Sequence, residues 1–248
     1  MKSNAEWKAW GEHDPLFAVA SWKGKGKNDK SPWTDEEFYR LGEQDWNDFK
    51  CRWTAYGLSS QHCLEIGCGA GRITNQLAKD FSKVTAVDVS EDQVAYAKSR
   101  LRQENIEFDV TDGVRLPVAE RSISAVFSCH VFQHFDSHHD ATQVILELFR
   151  VMKPGATLCI HLPLCSLPYD AVRPLLKQLH TISKSIGSMR AAFNRARGKL
   201  IMRELWYERD WLDSSLRKIG FTDVETRGFR LSSNQDWHDI VLARKSAN

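Results

Sequence analysis

The stretch Cys63-Leu-Glu-Ile-Gly-Cys-Gly-Ala-Gly-Arg-Ile-Thr74 begins as an apolar strand, passes three glycines at alternate positions and continues into a helix. These glycines let the chain turn tightly and let its backbone approach a ligand at the carboxyl end of the strand. Arg72 stands where the dinucleotide fingerprint needs a small residue, which counts against NAD. No Lys-Ser or Lys-Thr pair follows, so the stretch is not a P-loop. Glu65 suits a ligand that carries an ammonium or sulfonium group rather than a pyrophosphate.

Short β-rich runs alternate with helical patterns from about residue 60 to residue 165, which is typical of βαβ units around a parallel sheet. The predicted strands are His62–Ile66, Lys83–Val87, Ile106–Val110, Ala125–Cys129 and Thr157–Leu162, then Phe221–Thr226 and Asp239–Ala243 near the end of the chain. The predicted helices are Gly71–Phe81, Glu91–Gln103, Asp140–Met152 and Asp210–Ile219. This order predicts a Rossmann-like, doubly wound α/β fold.

Two acidic elements follow the glycine loop, each at the end of a predicted strand. Asp88 ends the second strand, where a carboxylate accepts hydrogen bonds from both hydroxyls of a ribose. Asp112-Gly113 follows the third strand, and its side chain and backbone amide would hold the edge of an adenine. Taken alone, this pair is more typical of a turn. In this order and with these spacings, the glycine loop and the two acidic elements support one another.

Together these elements resemble the class I methyltransferases that depend on S-adenosyl-L-methionine (SAM), over about residues 60–165 and more loosely over the terminal strands. The shared motifs are E-x-G-x-G-x-G from Glu65, the acid Asp88, D-x-x-x-L-P from Asp112, and L-x-R-V-x-K-P-G from Leu148. The resemblance implies SAM as cofactor and S-adenosyl-L-homocysteine as product. It implies these cofactor-binding residues: Glu65, Gly67, Cys68, Gly69 and Gly71 in the loop, Asp88 at the ribose, Val89, Gln93, Asp112 and Gly113 at the adenine, and the backbone of Ser128. Ile123-Ser124 departs from the Phe-Asp pair that often enters the fourth strand of the family.

The resemblance also implies a domain layout around a seven-stranded sheet, mostly parallel with an antiparallel last strand. We expect residues 1–55 to form an aromatic-rich N-terminal cap and residues 56–248 to form the methyltransferase domain. Residues 168–205 would be a helical insertion after the fifth strand that covers the acceptor. From Ala171 to Arg203 this segment holds eight Lys or Arg residues and no acid.

Methyl transfer needs a base only where the attacking group must lose a proton, and the chain offers histidines where the fourth and fifth strands end. His134 matches the position at which some small-molecule O-methyltransferases carry a catalytic histidine, and His161 and His130 are further candidates. The alternative is that these side chains only hydrogen-bond to the backbone. A metal site built from His130, His134, His138 and His139 is disfavoured, because phenylalanines interleave them and no carboxylate–histidine motif completes the set. We therefore expect no metal.

The predicted acceptor is a small molecule. A basic helix face beside the methyl donor would select an anionic or glycosyl metabolite, with transfer to oxygen as the leading hypothesis and nitrogen second. Two alternatives stay open: an RNA acceptor bound by the basic insertion, and a non-catalytic SAM-binding module that presents the insertion to a protein partner. A solvated basic face without a ligand fits the same pattern.

The composition is that of a globular protein, with 42% hydrophobic and 27% charged residues, which excludes a disordered or collagen-like chain. The sequence shows neither a membrane-spanning stretch nor a secretory signal, so we expect a cytoplasmic protein without a membrane partner. Six cysteines form no CxxC pair, which favours reduced, structural thiols. Nine tryptophans lie near the two ends, and none falls between Thr54 and Leu205. This distribution indicates a compact centre with differently built flanking segments.

Overall fold

The computed structural model of the chain describes residues 1–165, 202 and 204–247. Seven strands form one sheet in the order β3-β2-β1-β4-β5-β9-β8, in which β9 runs antiparallel to both of its neighbours. Strands β6 and β7 form a separate two-stranded sheet. The strands are β1 His62–Ile66, β2 Lys83–Asp88, β3 Ile106–Val110, β4 Ile123–Ser128, β5 Met152–His161, β6 Leu164–Cys165, β7 Tyr207–Glu208, β8 Phe221–Arg230 and β9 Trp237–Lys245. The predicted seven-stranded, doubly wound α/β fold, mostly parallel with an antiparallel last strand, is confirmed.

Seven α-helices and one 3-10 turn connect these strands within the described residues. The helices are α1 Lys2–His13, α2 Pro15–Val19, α3 Asp35–Tyr56, α4 Thr74–Asp80, α5 Glu91–Arg100, α6 His138–Val151 and α7 Arg209–Ile219, and the 3-10 turn is Phe132–His134. The predicted helix over Gly71–Phe81 begins only at Thr74, because the residues before it are turns. The helix predicted to reach Gln103 ends at Arg100, since Leu101 is extended.

Helix α3 is specified at both ends by local signals. Thr34 and Glu37 form a capping box, in which each side chain bonds to the backbone amide of the other residue. Three acids in its first turn match the positive end of the helix dipole. Gly57 ends the helix with φ +111°, a left-handed conformation that favours glycine. The sequence therefore fixes a helix of 22 residues before the first strand of the sheet.

One face of the sheet is covered by aromatic side chains of α3. Trp46, Phe49 and Trp53 are at most 2% exposed, and their ring centroids lie 5.3, 5.4 and 6.0 Å from that of Phe127 in β4. The indole N–H of Trp53 donates to Thr157 Oγ1 in β5 at 3.0 Å. Burial of these rings and a satisfied indole N–H make α3 part of the core of the sheet.

The opposite face of the sheet packs against α6. Alternate residues of the strands face the two sides, so Val126 and Leu158 lie in the α6 core while Phe127 and Cys159 lie in the α3 core. All six residues of β4 are buried, as expected for a central parallel strand covered on both faces. This arrangement leaves the strand ends, rather than the faces, available for a ligand.

Part of the chain lies outside the described residues. Residues 166–201 and 203, which hold most of the predicted basic insertion over 168–205, belong to that part. Among the described helices, none is both long and apolar enough to cross a membrane. All six cysteines are described, and each carries a free thiol.

Candidate active site

A cavity of about 890 Å³ opens at the carboxyl ends of β1, β2, β4 and β5. Open α/β sheets bind their ligands in this position, and the volume lies near the upper end of the usual range for ligand sites. Further parts of the wall come from helices α1, α2 and α3, from residues around Trp206, from the β8–β9 loop and from the start of β9. The sequence-predicted residues that line the cavity are Gly67, Gly69, Asp88, Val89, Gln93, Gly113, His130, His134 and His161.

The Asp88 carboxylate is held at the end of β2 by two backbone amides. Its Oδ2 accepts from the Gly69 N–H at 2.8 Å, and its Oδ1 accepts from the Ser90 N–H at 2.9 Å. A carboxylate offers about four lone-pair positions, so each oxygen keeps acceptor capacity. Asp88 thus links the glycine loop to the start of α5 and still presents an acceptor pair to the cavity.

The glycine loop approaches its neighbours closely enough to require glycine. A Cβ on Gly69, whose φ is +52°, would lie 2.4 Å from Val19 Cγ2 in α2. A Cβ on Gly67, with φ +71°, would lie 2.2 Å from Val131 Cγ2. The bare backbone of this loop therefore forms the floor of the cavity beneath α2.

Gln93 places an unpaired acceptor in the same corner. Its Nε2 donates to the Pro15 carbonyl at 3.1 Å, while its Oε1 is buried without a hydrogen-bond partner among the described residues. A Cβ on Gly69 would lie 3.8 Å from this oxygen. An unsatisfied buried acceptor is costly in a folded protein, which points to a donor supplied by a ligand.

Helix α1 covers the Asp112-Gly113 turn. Asp112 Oδ1 accepts from the amides of Val114 and Arg115 at 2.8 and 2.7 Å, so this oxygen is occupied by the turn itself. The Asp112 carbonyl accepts from Asn4 Nδ2 at 2.7 Å. A Cβ on Gly113 would lie 2.7 Å from the same Asn4 nitrogen. The N-terminal helix is therefore in direct contact with this side of the cavity.

Asp136 fastens the first turn of α1 from a distant part of the chain. Helix α1 has no side-chain cap of its own and no acid in its first turn. Asp136 Oδ2 accepts from the Lys2 amide at 2.5 Å, and Oδ1 accepts from the Ser3 amide at 3.2 Å. A carboxylate in this position satisfies orphan amides and matches the helix dipole. The loop after β4 thus holds the helix that closes the cavity.

Four predicted cofactor residues lie behind the cavity wall. Glu65 is 3% exposed and accepts from Thr74 Oγ1 at 2.6 Å, and burial raises its pKa to about 7. The Cys68 side chain packs in the α3 core. Gly71 packs against α5, where a Cβ would lie 2.8 Å from Leu101 Cδ1. Ser128 Oγ donates to the Ile66 carbonyl at 3.1 Å. These side chains shape the strand ends and the loop.

His134 lies on the cavity wall in the 3-10 turn after β4. Its ring packs against Trp7 of α1, with centroids 4.6 Å apart. The Gln133 Nε2 amide lies 3.1 Å from His134 Nε2. Since an amide nitrogen only donates, His134 Nε2 is the acceptor and carries a lone pair. This unprotonated form is the one that a general base needs, and the Gln133 amide must turn away before a hydroxyl can bond to the same lone pair.

Three further histidines form a chain of hydrogen bonds beside the same cavity. The His130 backbone N–H donates to His161 Nδ1 at 3.2 Å, and His161 Nε2 lies 2.9 Å from His238 Nδ1. His130 has φ +59°, an uncommon conformation that directs its amide at His161. Burial lowers the pKa of all three rings, that of His130 to about 3. The three imidazoles are therefore neutral at pH 7.

A buried ion pair lies against this histidine chain. Arg72 bonds to Asp45, and Asp45 also accepts from Ser233 Oγ at 2.5 Å. Ligand atoms of Cys129, His130 and His161 lie within 4.8 Å of one another. However, the Arg72 guanidinium acts on the Cys129 thiol, and burial raises the pKa of that thiol to about 12. A neutral thiol beside a guanidinium does not favour a cation.

Four tryptophans line the cavity: Trp7, Trp22, Trp206 and Trp237. The last three are 37%, 52% and 61% exposed, which makes them the most exposed indoles of the described residues. Trp22 comes from the N-terminal segment, and the other two come from the C-terminal part of the chain. Large exposed rings on a cavity wall provide apolar, flat contact surface for a ligand.

Comparison with known proteins supports what the sheet and the strand-end cavity indicate. The sequence profile of the methyltransferase domain matches residues 64–160. A malonyl-[acyl-carrier protein] O-methyltransferase from Bacillus anthracis is 39% identical over 93 residues, which is 37% of this chain and 33% of the relative. The C-methyltransferase UbiE of ubiquinone and menaquinone biosynthesis from Desulfotalea psychrophila is 25% identical over 177 residues, 68% of this chain and 69% of the relative.

Among solved structures, magnesium protoporphyrin IX methyltransferase from Synechocystis, crystallised with S-adenosylhomocysteine, superposes with a TM-score of 0.63. The alignment covers 98% of this chain and 100% of that chain at 18% identity, so it shows a shared fold. The domain match over residues 64–160 and the shared fold support a class I SAM-dependent methyltransferase. The predicted family, enzyme class and cofactor are confirmed. This methyltransferase spans only about a third of the length of several curated relatives, including Methyltransferase GfsG from Streptomyces halstedii at 36%.

The cofactor end of the cavity fits SAM as a ligand. The Asp88 carboxylate keeps free lone pairs for two hydroxyls, and Gln93 Oε1 is an unpartnered acceptor. Gly67 and Gly69 present bare backbone to the cavity, and Val19 of α2 packs against Gly69. Asp88 would hold the ribose, Gln93 would accept a hydrogen bond from a donor of the cofactor, and the methionine part of the cofactor would lie along the loop.

Sequence reasoning missed several residues around the cavity of this methyltransferase. His238 and Asp45 come from segments without a family motif, and Arg72 was considered only as a departure from the dinucleotide fingerprint. Asp136 bonds to Lys2, 134 residues away in sequence, and Asn4 bonds to Asp112, 108 residues away. No local sequence pattern predicts hydrogen bonds between residues so far apart in the chain. One signal was available: the flanking tryptophans indicated that the ends of the chain are built differently, and those ends form much of the cavity wall.

Proposed function

We propose that this methyltransferase transfers the methyl group of SAM to an oxygen of a small-molecule acceptor bound in the cavity. The observation that carries the proposal is His134, a histidine with an unprotonated Nε2, on the wall of the same cavity that Gly69 and Asp88 line. A hydroxyl acceptor must lose a proton as it attacks, and a neutral histidine suits that task near pH 7.

The chain's own groups have three tasks in this reaction. SAM, when bound, supplies a methyl group already activated by a positively charged sulfur. Asp88 and Gln93 bind and orient the ligand, so that alignment lowers the barrier. His134 Nε2 accepts the hydroxyl proton. Trp7 packs on the His134 ring and fixes its position at 4.6 Å between centroids.

Helices α1 and α2 exclude water from the reacting groups. Val19 of α2 covers Gly69, and Asn4 of α1 covers Gly113. Water removal strengthens electrostatic interactions inside the site and prevents side reactions. A cavity covered by helices supports an acceptor of small-molecule size.

The tryptophan lining supports an acceptor with a flat apolar face, such as an aromatic ring or one face of a sugar. Relatives named as O-methyltransferases, including resE from Aspergillus sclerotiorum, favour oxygen as the methylated atom. An anionic or glycosyl metabolite stays part of the proposal because of the basic run from Ala171 to Arg203, which lies outside the described residues. Of the described arginines on the wall, Arg72 pairs with Asp45 and Arg209 bonds to Thr226.

Transfer to a ring carbon is a second candidate. It is favoured by the long match to UbiE and by a demethylmenaquinone methyltransferase from Tropheryma whipplei, 26% identical over 192 residues, 74% of this chain and 75% of that relative. A phenol that loses its proton to His134 has nucleophilic ring carbons as well as a nucleophilic oxygen. The position of the methyl group in the product distinguishes the two reactions.

The first test measures cofactor binding by calorimetry. Wild type should bind SAM, and Asp88→Asn should bind it at least tenfold more weakly, because a ribose hydroxyl then meets an amide nitrogen. Asp109→Asn makes the same change on β3 away from the cavity and should bind SAM as wild type does. Absence of SAM binding by wild type would refute the proposed function.

The second test measures turnover with labelled SAM on a pool of phenols, sugars and carboxylated metabolites, with product analysis by mass spectrometry and NMR. His134→Ala should lower kcat by about 10²- to 10⁴-fold and leave SAM affinity unchanged. His139→Ala, an exposed histidine outside the cavity, is the control. Unchanged turnover in His134→Ala would remove the base from the mechanism. Labelling of RNA instead of any small molecule would replace the small-molecule acceptor with RNA.

A further inference from the structure

His238 is the last residue in the chain of hydrogen-bonded histidines, and no family motif includes it. It lies at the end of the cavity lined by His134, Trp206 and Trp237, which is called the acceptor end below. Its residue is 6% exposed, it lines the cavity, and its Nε2 is buried without a hydrogen-bond partner. Its Nδ1 lies 2.9 Å from His161 Nε2. The protonation state of this one unpaired nitrogen decides what the site can bind.

The proton positions follow from a single fixed donor. The His130 backbone N–H can only donate, so His161 Nδ1 carries a lone pair. A neutral ring then holds its proton on Nε2, which donates to His238 Nδ1. By the same reasoning His238 holds its own proton on Nε2. The peptide amide thus sets the tautomer of both rings.

His161 acts on His238 and not on a ligand in this arrangement. Both of its ring nitrogens are engaged within the protein, one by the His130 amide and one by His238. Burial lowers its pKa well below the usual range, which keeps the ring neutral. His161 is therefore a positioning residue that fixes the orientation and the tautomer of its neighbour.

We infer that the Nε2–H of His238 donates a hydrogen bond to a neutral carbonyl oxygen of the methyl acceptor, an inference that rests on the proposed function. A buried donor without a partner is costly, and a ligand oxygen removes that cost. The acceptor is accordingly a hydroxylated molecule that also carries a ketone, quinone, lactone or amide carbonyl.

The charges around His238 favour a carbonyl over a carboxylate. The charged groups that act on the His238 ring are Asp45, Asp236, Arg72 and Asp239. Arg72 and Asp45 neutralise each other as a buried pair, so the two remaining acids repel an anion. Trp237, the neighbouring residue on the wall, adds an apolar surface beside the polar nitrogen.

The first experiment determines the tautomers directly, without methyl transfer. Long-range ¹H–¹⁵N NMR of the histidine rings in the full-length protein saturated with S-adenosylhomocysteine should show His161 and His238 neutral at pH 7, both protonated on Nε2. His161→Leu should release this constraint, and His238 should then populate both tautomers. A proton on Nδ1 of His238 in wild type would overturn the inference.

The second experiment compares matched probes that differ in the carbonyl. Binding of 3′-hydroxyacetophenone and 3-ethylphenol to the S-adenosylhomocysteine complex is followed by tryptophan fluorescence. The carbonyl probe should bind about tenfold more tightly to wild type, and His238→Leu should abolish that preference. His238→Gln, which keeps a side-chain N–H donor, should restore part of it, and His139→Leu should keep all of it.

These results separate the inference from the proposed function. Equal affinity of wild type for the two probes, or a preference that survives in His238→Leu, would overturn the role of His238. Neither result depends on turnover. A protein that binds the carbonyl probe through His238 but transfers no methyl group would refute the proposed reaction instead.

Discussion

Asp136 is expected to control how tightly α1 closes the cavity. Its carboxylate accepts the amides of Lys2 and Ser3, the first two residues of a helix that has no cap of its own. Asp136→Ala removes both acceptors and the negative charge at the positive end of the helix dipole. The amides can then bond only to water in an opened state.

The free-energy change expected for Asp136→Ala follows from the lost hydrogen-bond acceptors and the lost charge. Loss of an N-terminal cap costs about 0.5–2 kcal/mol, and loss of a favourable charge at the helix terminus costs about 0.3–1 kcal/mol. Because one carboxylate supplies both effects, they overlap, and Asp136→Ala should favour the open state of α1 by about 1–2 kcal/mol. This corresponds to a roughly 5- to 30-fold larger population of open helix. Asp136→Asn keeps one acceptor oxygen and should give a smaller shift.

Hydrogen exchange followed by mass spectrometry measures this opening directly. Amides of α1 should exchange about 5- to 30-fold faster in Asp136→Ala, while those of the central strands stay unchanged. S-adenosylhomocysteine should dissociate faster by a similar factor, because α1 covers Gly113 at the cavity wall. Glu104→Ala, an exposed acid far along the chain, is the control. Unchanged exchange in α1 would show that packing, and not the Asp136 cap, holds the helix closed.

Other predictions concern the loop, the core and acid stability. Gly69→Ala should weaken SAM binding more than tenfold, whereas Gly24→Ala, also at positive φ but with open space around it, should not. Trp46→Ala should lower the free energy of unfolding by about 3–5 kcal/mol in urea titrations. The pKa of His130 is lowered to about 3, so between pH 8 and pH 5 this ring takes up a proton only in the unfolded state. Its contribution lowers the free energy of unfolding by about 2 kcal/mol over that range. Glu65, with its pKa raised to about 7, takes up a proton in the folded state over the same range, which offsets about 2 kcal/mol of that loss of stability. Glu65→Gln should therefore lose about 2 kcal/mol more of its free energy of unfolding between pH 8 and pH 5 than wild type does. An equal loss in the two proteins would contradict this reasoning.

The sheet could be predicted because each parallel strand carries its own local signal. His62–Ile66 and Ile106–Val110 were predicted with the observed bounds. Strand β4 begins earlier than its apolar run suggests, because Ser124 is satisfied inside the sheet by the backbone of His62 at 2.8 and 3.0 Å. Strand β5 begins at Met152, directly where α6 ends, so the Lys153-Pro154-Gly155 run that precedes the predicted strand belongs to β5.

The cofactor end of the cavity was more predictable than the acceptor end for a physical reason. Glycines and an acid at strand ends occupy fixed places relative to the parallel sheet, so order along the sequence gives position in space. The acceptor end depends on contacts between distant segments, such as His161 with His238, 77 residues away. Nothing near His238 in sequence reveals that its ring ends a hydrogen-bond chain started by a backbone amide.

The region that matches the methyltransferase family, residues 64–160, holds only part of the cavity wall. The methyltransferase profile ends at residue 160, and relatives such as the malonyl-[acyl-carrier protein] O-methyltransferases match only about a third of their length. Trp7, Trp22, Trp206, Trp237 and His238, which line the acceptor end, all lie outside residues 64–160. Under the proposed function, residues 64–160 supply most of the groups that hold the cofactor, and the flanking segments that carry the tryptophans contact the acceptor. Exchange of residues 64–160 with those of a relative should keep the acceptor preference of this chain, because His238 and the indoles would stay in place.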